Sequence, residues 1–138
     1  MDEMQIEQIR FELTWRIRHK VLYPKLPFEQ IKLKNDEEGI HFGLFANNQL
    51  TSVISLFEIN NDYQFRKFAT LKSGQGKGYG TKLFEYIIGY VKEMNGNKLW
   101  CNARISAISF YKKFGFIETN EYFTQDDIDF VMMELKLR

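Results

Sequence analysis

The chain has 138 residues, 44% of them hydrophobic and 27% charged, with a formal net charge of +1. That length supports one domain with a real core, and the composition is ordinary for a globular protein. The near-neutral charge excludes a nucleic-acid footprint, since Arg16-Ile17-Arg18-His19-Lys20 is the one short basic run. No apolar stretch reaches the roughly 20 residues that a membrane span needs. The N-terminus, Met1-Asp2-Glu3-Met4, is acidic and lacks the apolar run of a signal peptide. Cys101 is the single cysteine and has no internal disulfide partner, which fits a reducing cytoplasm. It reads as a buried structural thiol beside Leu99 and Trp100. One cysteine and two distant histidines, His19 and His41, give no metal cluster.

In chain order, Met4 and Ile6 alternate as a short strand ending near Ile9 or Arg10. Leu13, Ile17, Val21 and Leu22 recur at helical spacing, predicting a helix over 12–22 that stops before Pro24. Tyr23-Pro24-Lys25-Leu26-Pro27 is a rigid connector, and 28–33 holds one or two helical turns. The acidic run in Asn35-Asp36-Glu37-Glu38-Gly39 reads as a solvated turn. Strands over 40–46 and 50–59 are joined by the hairpin signal Asn47-Asn48-Gln49. His41, next to Phe42, reads as a packing residue. Asn60-Asn61-Asp62 turns into a third antiparallel strand over 63–71. A helix over 78–94 buries Leu83, Phe84, Ile87, Ile88 and Val91, and Asn95-Gly96 closes it. The strand over 98–102 follows through that helix, so it pairs parallel with 63–71. A helix near 105–114 stops at Gly115, and 116–123 with 129–137 closes the chain as an antiparallel pair.

Between the third strand and the long helix lies Gly74-Gln75-Gly76-Lys77-Gly78-Tyr79-Gly80-Thr81-Lys82, with glycine at alternate positions. Strand, glycine turn and helix start together aim bare N–H groups and the positive end of a helix dipole at one place. That combination points to a phosphate-bearing ligand at 75–81. The Walker spacing fails because Lys77 is followed by glycine and Lys82 by leucine. The dinucleotide fingerprint fails because the run is G-x-G-x-G. Both failures disfavour a nucleotide-binding protein.

Gln75-x-x-Gly78-x-Gly80 resembles the acyl-CoA-binding motif of the GNAT N-acetyltransferase superfamily. Ala107-Ile108-Ser109-Phe110-Tyr111-Lys112-Lys113-Phe114-Gly115-Phe116 resembles the same family's A-x-x-F-Y-x-x-x-G-F segment. The resemblance covers residues 40–137 closely and 1–39 loosely. It implies one domain over 1–138 with the GNAT fold, an α/β architecture with a mixed, mostly antiparallel sheet flanked by helices and splayed central parallel strands. It further implies acetyl-CoA as co-substrate without a metal, and direct acetyl transfer to a primary amine in a ternary complex. The acceptor is a small molecule or peptide, and the protein a monomer or homodimer with no nucleic-acid or membrane partner. A non-catalytic acyl-CoA-binding or partner-binding module on the same fold is the alternative.

The resemblance assigns the CoA diphosphate to the amides of Gln75, Gly76, Lys77, Gly78, Tyr79, Gly80 and Thr81, which physically form an anion nest. Tyr79 stands where the family usually has an aliphatic residue, so its ring packs. Backbone groups of Phe68, Ala69 and Thr70 pair with the pantetheine amides. Donors there also polarise the thioester carbonyl; such donors contribute about 3–4 kcal/mol in other acyl-transfer enzymes. Tyr111 matches the family's general acid, which protonates the departing thiolate. The base is expected to be Glu58, acting through water. Arg18 and His19, on the first helix, are expected to line the acceptor pocket. Arg104 replaces the family's usual asparagine, and three roles are open to it: a cofactor phosphate, an acidic acceptor or a structural ion pair.

Overall fold

The computed structural model describes residues 3–138; Met1 and Asp2, the start of the acidic N-terminus, lie outside them. The elements are β1 (Met4–Ile9), α1 (Glu12–Ile17), β2 (Ile40–Ala46), β3 (Gln49–Ile59), β4 (Asp62–Thr70), α2 (Tyr79–Glu93), β5 (Lys98–Arg104), α3 (Ile108–Lys112), β6 (Ile117–Gln125) and β7 (Ile128–Lys136). Their order is the expected one. Hydrogen bonding links the strands as β1-β2-β3-β4-β5-β7-β6. The chain divides into two compact units, Met1–Phe57 with Phe65–Tyr90, and Glu58–Gln64 with Val91–Arg138. Among the described residues, no helix is long and apolar enough to cross a membrane.

In the first unit β1 runs antiparallel to β2, and β2 to β3, with Ile40 opposite Leu56. Asn47 and Asn48 join β2 to β3 at φ 51° and 68°. Two consecutive left-handed residues suit a twisted two-residue hairpin, and asparagine tolerates them. Ile17 of α1 clusters with Val53 and Ala69. Helix α2 buries Leu83, Phe84 and Ile87 completely, as its apolar stripe requires.

Strand β4 changes face part-way along. Phe65 and Phe68 both pack on Phe84, with ring centroids 5.0 and 5.5 Å away. In a regular strand, residues three apart point to opposite faces. The extra residue is Lys67, whose φ of 56° is the only positive value inside a strand among the described residues. Such a bulge re-aims the side chains that follow it. Phe68 therefore stays with α2, while Ala69 turns to Ile17 and Val53 on the α1 side.

In the second unit the first residues of β4 run parallel to β5, Asp62 opposite Lys98 and Gln64 opposite Trp100. Strand β7 lies antiparallel between β5 and β6. Leu99, Cys101, Ala103, Val131 and Met133 make its buried alternation.

Three expectations about the N-terminal third need correction. The predicted helix over 12–22 is α-helical only to Ile17; Arg18–Leu22 is a wider π-helical turn, closed by Tyr23 N–H on the Arg18 carbonyl at 3.3 Å. The acidic turn is also not wholly solvated. Glu37 and Glu38 are exposed, but Asp36 is buried in a two-pronged ion pair with Arg18, both contacts 2.9 Å. Arg18 is fully buried, so it cannot line an acceptor pocket as expected. Its Nη2 also donates to Ser55 Oγ at 2.9 Å. Trp15 Nε1 and the Leu33 amide donate to Asp36 Oδ2. A charge taken out of water needs such a set of partners.

His41 completes the network. Its Nε2 lies 2.8 Å from the Asp36 carbonyl, which can only accept, so Nε2 carries the proton. Nδ1 then accepts from Ser55 Oγ at 2.7 Å. Burial first, and the Arg18 charge with it, hold the imidazole below its ordinary value despite the Asp36 carbonyl. At Asp36 burial pushes the carboxyl up, but the bonds from Arg18, Trp15 and Leu33 outweigh it and the group ends below its usual value.

The sign is the same for both groups. Each binds its proton more readily when unfolded, so stability falls as acid is added. His41 begins to cost stability below its ordinary value of 6.5. In urea unfolding between pH 7 and 5, wild type should lose stability more steeply than His41→Gln; equal slopes would contradict the neutral buried imidazole. Asp36→Ala, which strands Arg18, should lower unfolding stability by about 3–5 kcal/mol.

Candidate active site

The turn between β4 and α2 is built to leave its amides bare. Leu71 N–H is taken by the Thr51 carbonyl at 2.8 Å, and Gly74 N–H by Leu71 at 2.8 Å. A Cβ at Gly74 would stand 2.4 Å from Thr51 Cγ2, so glycine lets the chain pass close to β3. Gly76 and Gly78 then take φ 80° and 82°. The first full helical bond runs from Lys82 N–H to the Gly78 carbonyl at 3.0 Å. In between, the amides of Gly76, Lys77, Gly78, Gly80 and Thr81 bond to no other described residue. A Cβ at Gly76 or Gly78 would meet nothing within 4 Å, so space for a ligand lies directly over the backbone. An anion there would meet several N–H groups and the positive end of a 15-residue helix. The residues fit a diphosphate.

Individual side chains divide sharply. Tyr79 is 4% exposed, so its ring packs, as the departure from the family pattern suggested, and its backbone forms the turn. Lys77 and Lys82 are exposed. Gln75 is exposed, and its Nε2 donates to the Thr70 carbonyl at 2.9 Å, tying the turn to the end of β4. At Gly80 a Cβ would lie 3.3 Å from Thr70 Oγ1, so helix and strand end nearly touch.

The backbone proposed for pantetheine is partly engaged. The Ala69 carbonyl accepts from Ser52 Oγ at 3.2 Å, and the Thr70 carbonyl from Gln75. Each keeps a second lone pair. Ser52, whose Oγ also pairs with Thr70 Oγ1 at 2.8 Å, was not singled out from sequence. It is one of three buried hydroxyl residues of β3, with Thr51 and Ser55, and nothing in the sequence separates it from the other two.

Tyr111 lies in the second unit, on α3, half-buried between Phe110 and Phe116 with ring centroids 5.2 and 6.0 Å away. Its carbonyl accepts the Phe114 and Phe116 amides, which closes the helix at Gly115, φ 92°. Burial, with a smaller contribution from Cys101, raises the phenol well above its ordinary value of 10. The hydroxyl is therefore a neutral donor throughout the neutral range. Cys101 is 3% exposed, and burial pushes its thiol up to about 12, so it is a packing residue and not a nucleophile.

Glu58 is exposed, and its Oε2 accepts the Asn61 amide at 2.6 Å, capping the β3–β4 turn. His19 Nε2 donates to the Leu26 carbonyl at 2.8 Å, and the ring meets Phe28 edge-on at 5.5 Å. It braces the connector. Arg104 ends β5, exposed, and makes no ion pair among the described residues.

Known proteins carry the same pattern. A family model described as the acetyltransferase (GNAT) domain matches residues 4–137. An uncharacterized N-acetyltransferase of Bacillus subtilis, YitI, is 31% identical over 129 residues, covering 87% of each chain. The ribosomal protein bS18-alanine N-acetyltransferase of Haemophilus influenzae is 28% identical over 118 residues, 84% of this chain and 81% of that one. The crystal structure of a Bacillus subtilis acetyltransferase in complex with CoA superposes with a TM-score of 0.75 at 18% identity, over 100% of both chains. With its fold, its bare-amide turn and these matches, the chain belongs to the GNAT family of N-acetyltransferases.

Proposed function

We propose that this chain moves an acetyl group from acetyl-CoA to a primary amine by direct transfer in a ternary complex. The observation that carries the reading is the set of amides at Gly76, Lys77, Gly78, Gly80 and Thr81, which bond to no other described residue, with open space over Gly76 and Gly78. The CoA bound by a structural neighbour supports the same ligand here. Acetyl-CoA brings an activated acyl group and a fair leaving group, so the protein's work is chiefly to bind and orient. The amides from Gly76 to Thr81 hold the diphosphate, and the last residues of β4, Phe68–Thr70, align the pantetheine arm. The Tyr111 hydroxyl donates to the departing sulfur. A thiol's ordinary pKa is about 8.5. With its own value raised above 10, Tyr111 acts as a hydrogen-bond donor more than as a strong acid. Glu58 remains the carboxylate proposed to relay the ammonium proton through water, at the cost of its turn cap.

The direct test is thiol release from acetyl-CoA across an amine panel, beside CoA binding measured alone. Release with at least one amine supports the transferase. Binding without release for any amine would support the non-catalytic module instead.

Two variants probe the parts. Gly78→Asp places a carboxylate where the diphosphate is held and should weaken CoA binding by roughly ten- to a hundredfold in calorimetry. Its folding stability should drop by only about 1 kcal/mol, from the left-handed backbone alone. Unchanged CoA affinity would contradict the placement. Tyr111→Phe should lower kcat about tenfold or more with little change in CoA affinity. Because the raised phenol keeps its proton, the wild-type rate should show no loss from this group up to about pH 10. A fall in rate near pH 9 that disappears in Tyr111→Phe would contradict the donor role.

A further inference from the structure

The side chain of Lys67 has no role in the proposed acetyl transfer. It stands at the bulge of β4, held in a left-handed conformation that costs a non-glycine residue about 1 kcal/mol or more. Phe65 and Phe68, on either side of the bulge, face α2, and Ala69 beyond them faces α1. Lys67 Nζ donates to the Tyr23 hydroxyl and lies 4.5 Å from the centre of that ring. Both residues are half-buried. Among the described residues, no carboxylate lies within ion-pair distance of Lys67.

Tyr23 is not a passive neighbour. It ends the π-helical turn, its amide bonded to the Arg18 and His19 carbonyls at 3.3 Å. Arg18 is fixed by the buried Asp36 pair, and His19 by the Leu26 carbonyl. The connector is therefore anchored on both sides of Tyr23. Its phenol oxygen accepts from Lys67, so its own proton must point elsewhere. The result is one fixed cation and one fixed hydroxyl, both able to donate, with a net positive charge and no carboxylate counter-ion among the described residues. The complement of that arrangement is a carboxylate.

We propose that Lys67 and Tyr23 form a carboxylate-binding subsite for the acceptor, so that the preferred substrate is a primary amine that also carries a carboxylate. This rests on the transferase reading and on the expectation that the first helix and the loop after it, which carries Tyr23, border the acceptor. The diphosphate has its own place at 76–81, after β4 has ended. A free amino acid, a short peptide's C-terminus and an acidic side chain near a peptide's N-terminus all offer the same group.

The experiment uses matched pairs of probes with the full chain and saturating CoA. One arm compares the amino acids with their carboxamides; the other compares short peptides bearing Glu or Asp with the same peptides bearing Gln or Asn. Thermal shift reads binding and thiol release reads turnover with acetyl-CoA. Wild type should favour the carboxylate member of at least one pair about ten- to a hundredfold, chiefly through KM. Lys67→Met should abolish that preference while leaving turnover of the uncharged member within about threefold, and Lys67→Arg should restore part of it. Tyr23→Phe, which keeps the ring, should reduce the preference and guard against a folding defect in the lysine variant. The subsite is overturned if wild type shows no carboxylate preference in either readout, or if Lys67→Met keeps it. Carboxylate-dependent binding that Lys67→Met loses, with no acetyl transfer to any amine, would uphold the subsite and overturn the transferase reading.

Discussion

The first amides of a helix have no carbonyl one turn behind them, and around the start of α2 no other described residue supplies one to Gly76, Lys77, Gly78, Gly80 or Thr81. That constraint governs the first unit. Two left-handed glycines, Gly76 and Gly78, keep the approach to the helix free of side chains. The Gln75 amide ties the turn to the end of β4. A buried aromatic, Tyr79, and the apolar stripe of Leu83, Phe84 and Ile87 seat the helix behind it. Unpaired donors are tolerated because solvent or an anion can reach them.

A second constraint shapes the other face of β4. The bulge at Lys67 lets Phe65 and Phe68 both serve α2 while Ala69 serves α1. One strand thus packs against helices on both sides, and one side chain is diverted toward Tyr23. The Arg18–Asp36–Ser55–His41 network then fixes the segment that carries Tyr23. Replacing such a network by apolar residues often costs a protein little stability. Its value here is a defined position for the connector.

Much of this was legible in the sequence, because the signals were local. Asparagine pairs marked the hairpins, alternation marked β2 to β4, and helical spacing marked α2 with its boundaries one residue off. The glycine turn and the Phe110-Tyr111 segment carried the family. What was not legible depended on partners far apart in the chain. Asp36 looked like one more charge in an acidic turn, since its partner Arg18 sits 18 residues earlier. Arg18 looked like part of a basic stripe for the same reason. The bulge left no trace either: Lys67 is a polar residue in an alternating strand, and the extra position shows in its left-handed backbone and in the contacts of Phe65 and Phe68 with one ring. The wide last turn of the first helix has no periodic signal that separates it from an α-helix.

Coenzyme binding at the start of α2 depends on its amides gripping an anion, and amide-resolved NMR reads those groups one at a time. Titration of the 15N-labelled protein with CoA should move the Gly76, Lys77, Gly78, Gly80 and Thr81 N–H signals more than any others, and dephospho-CoA, which keeps the diphosphate, should move the same set. CoA binding that left those five signals in place while shifting others would contradict it.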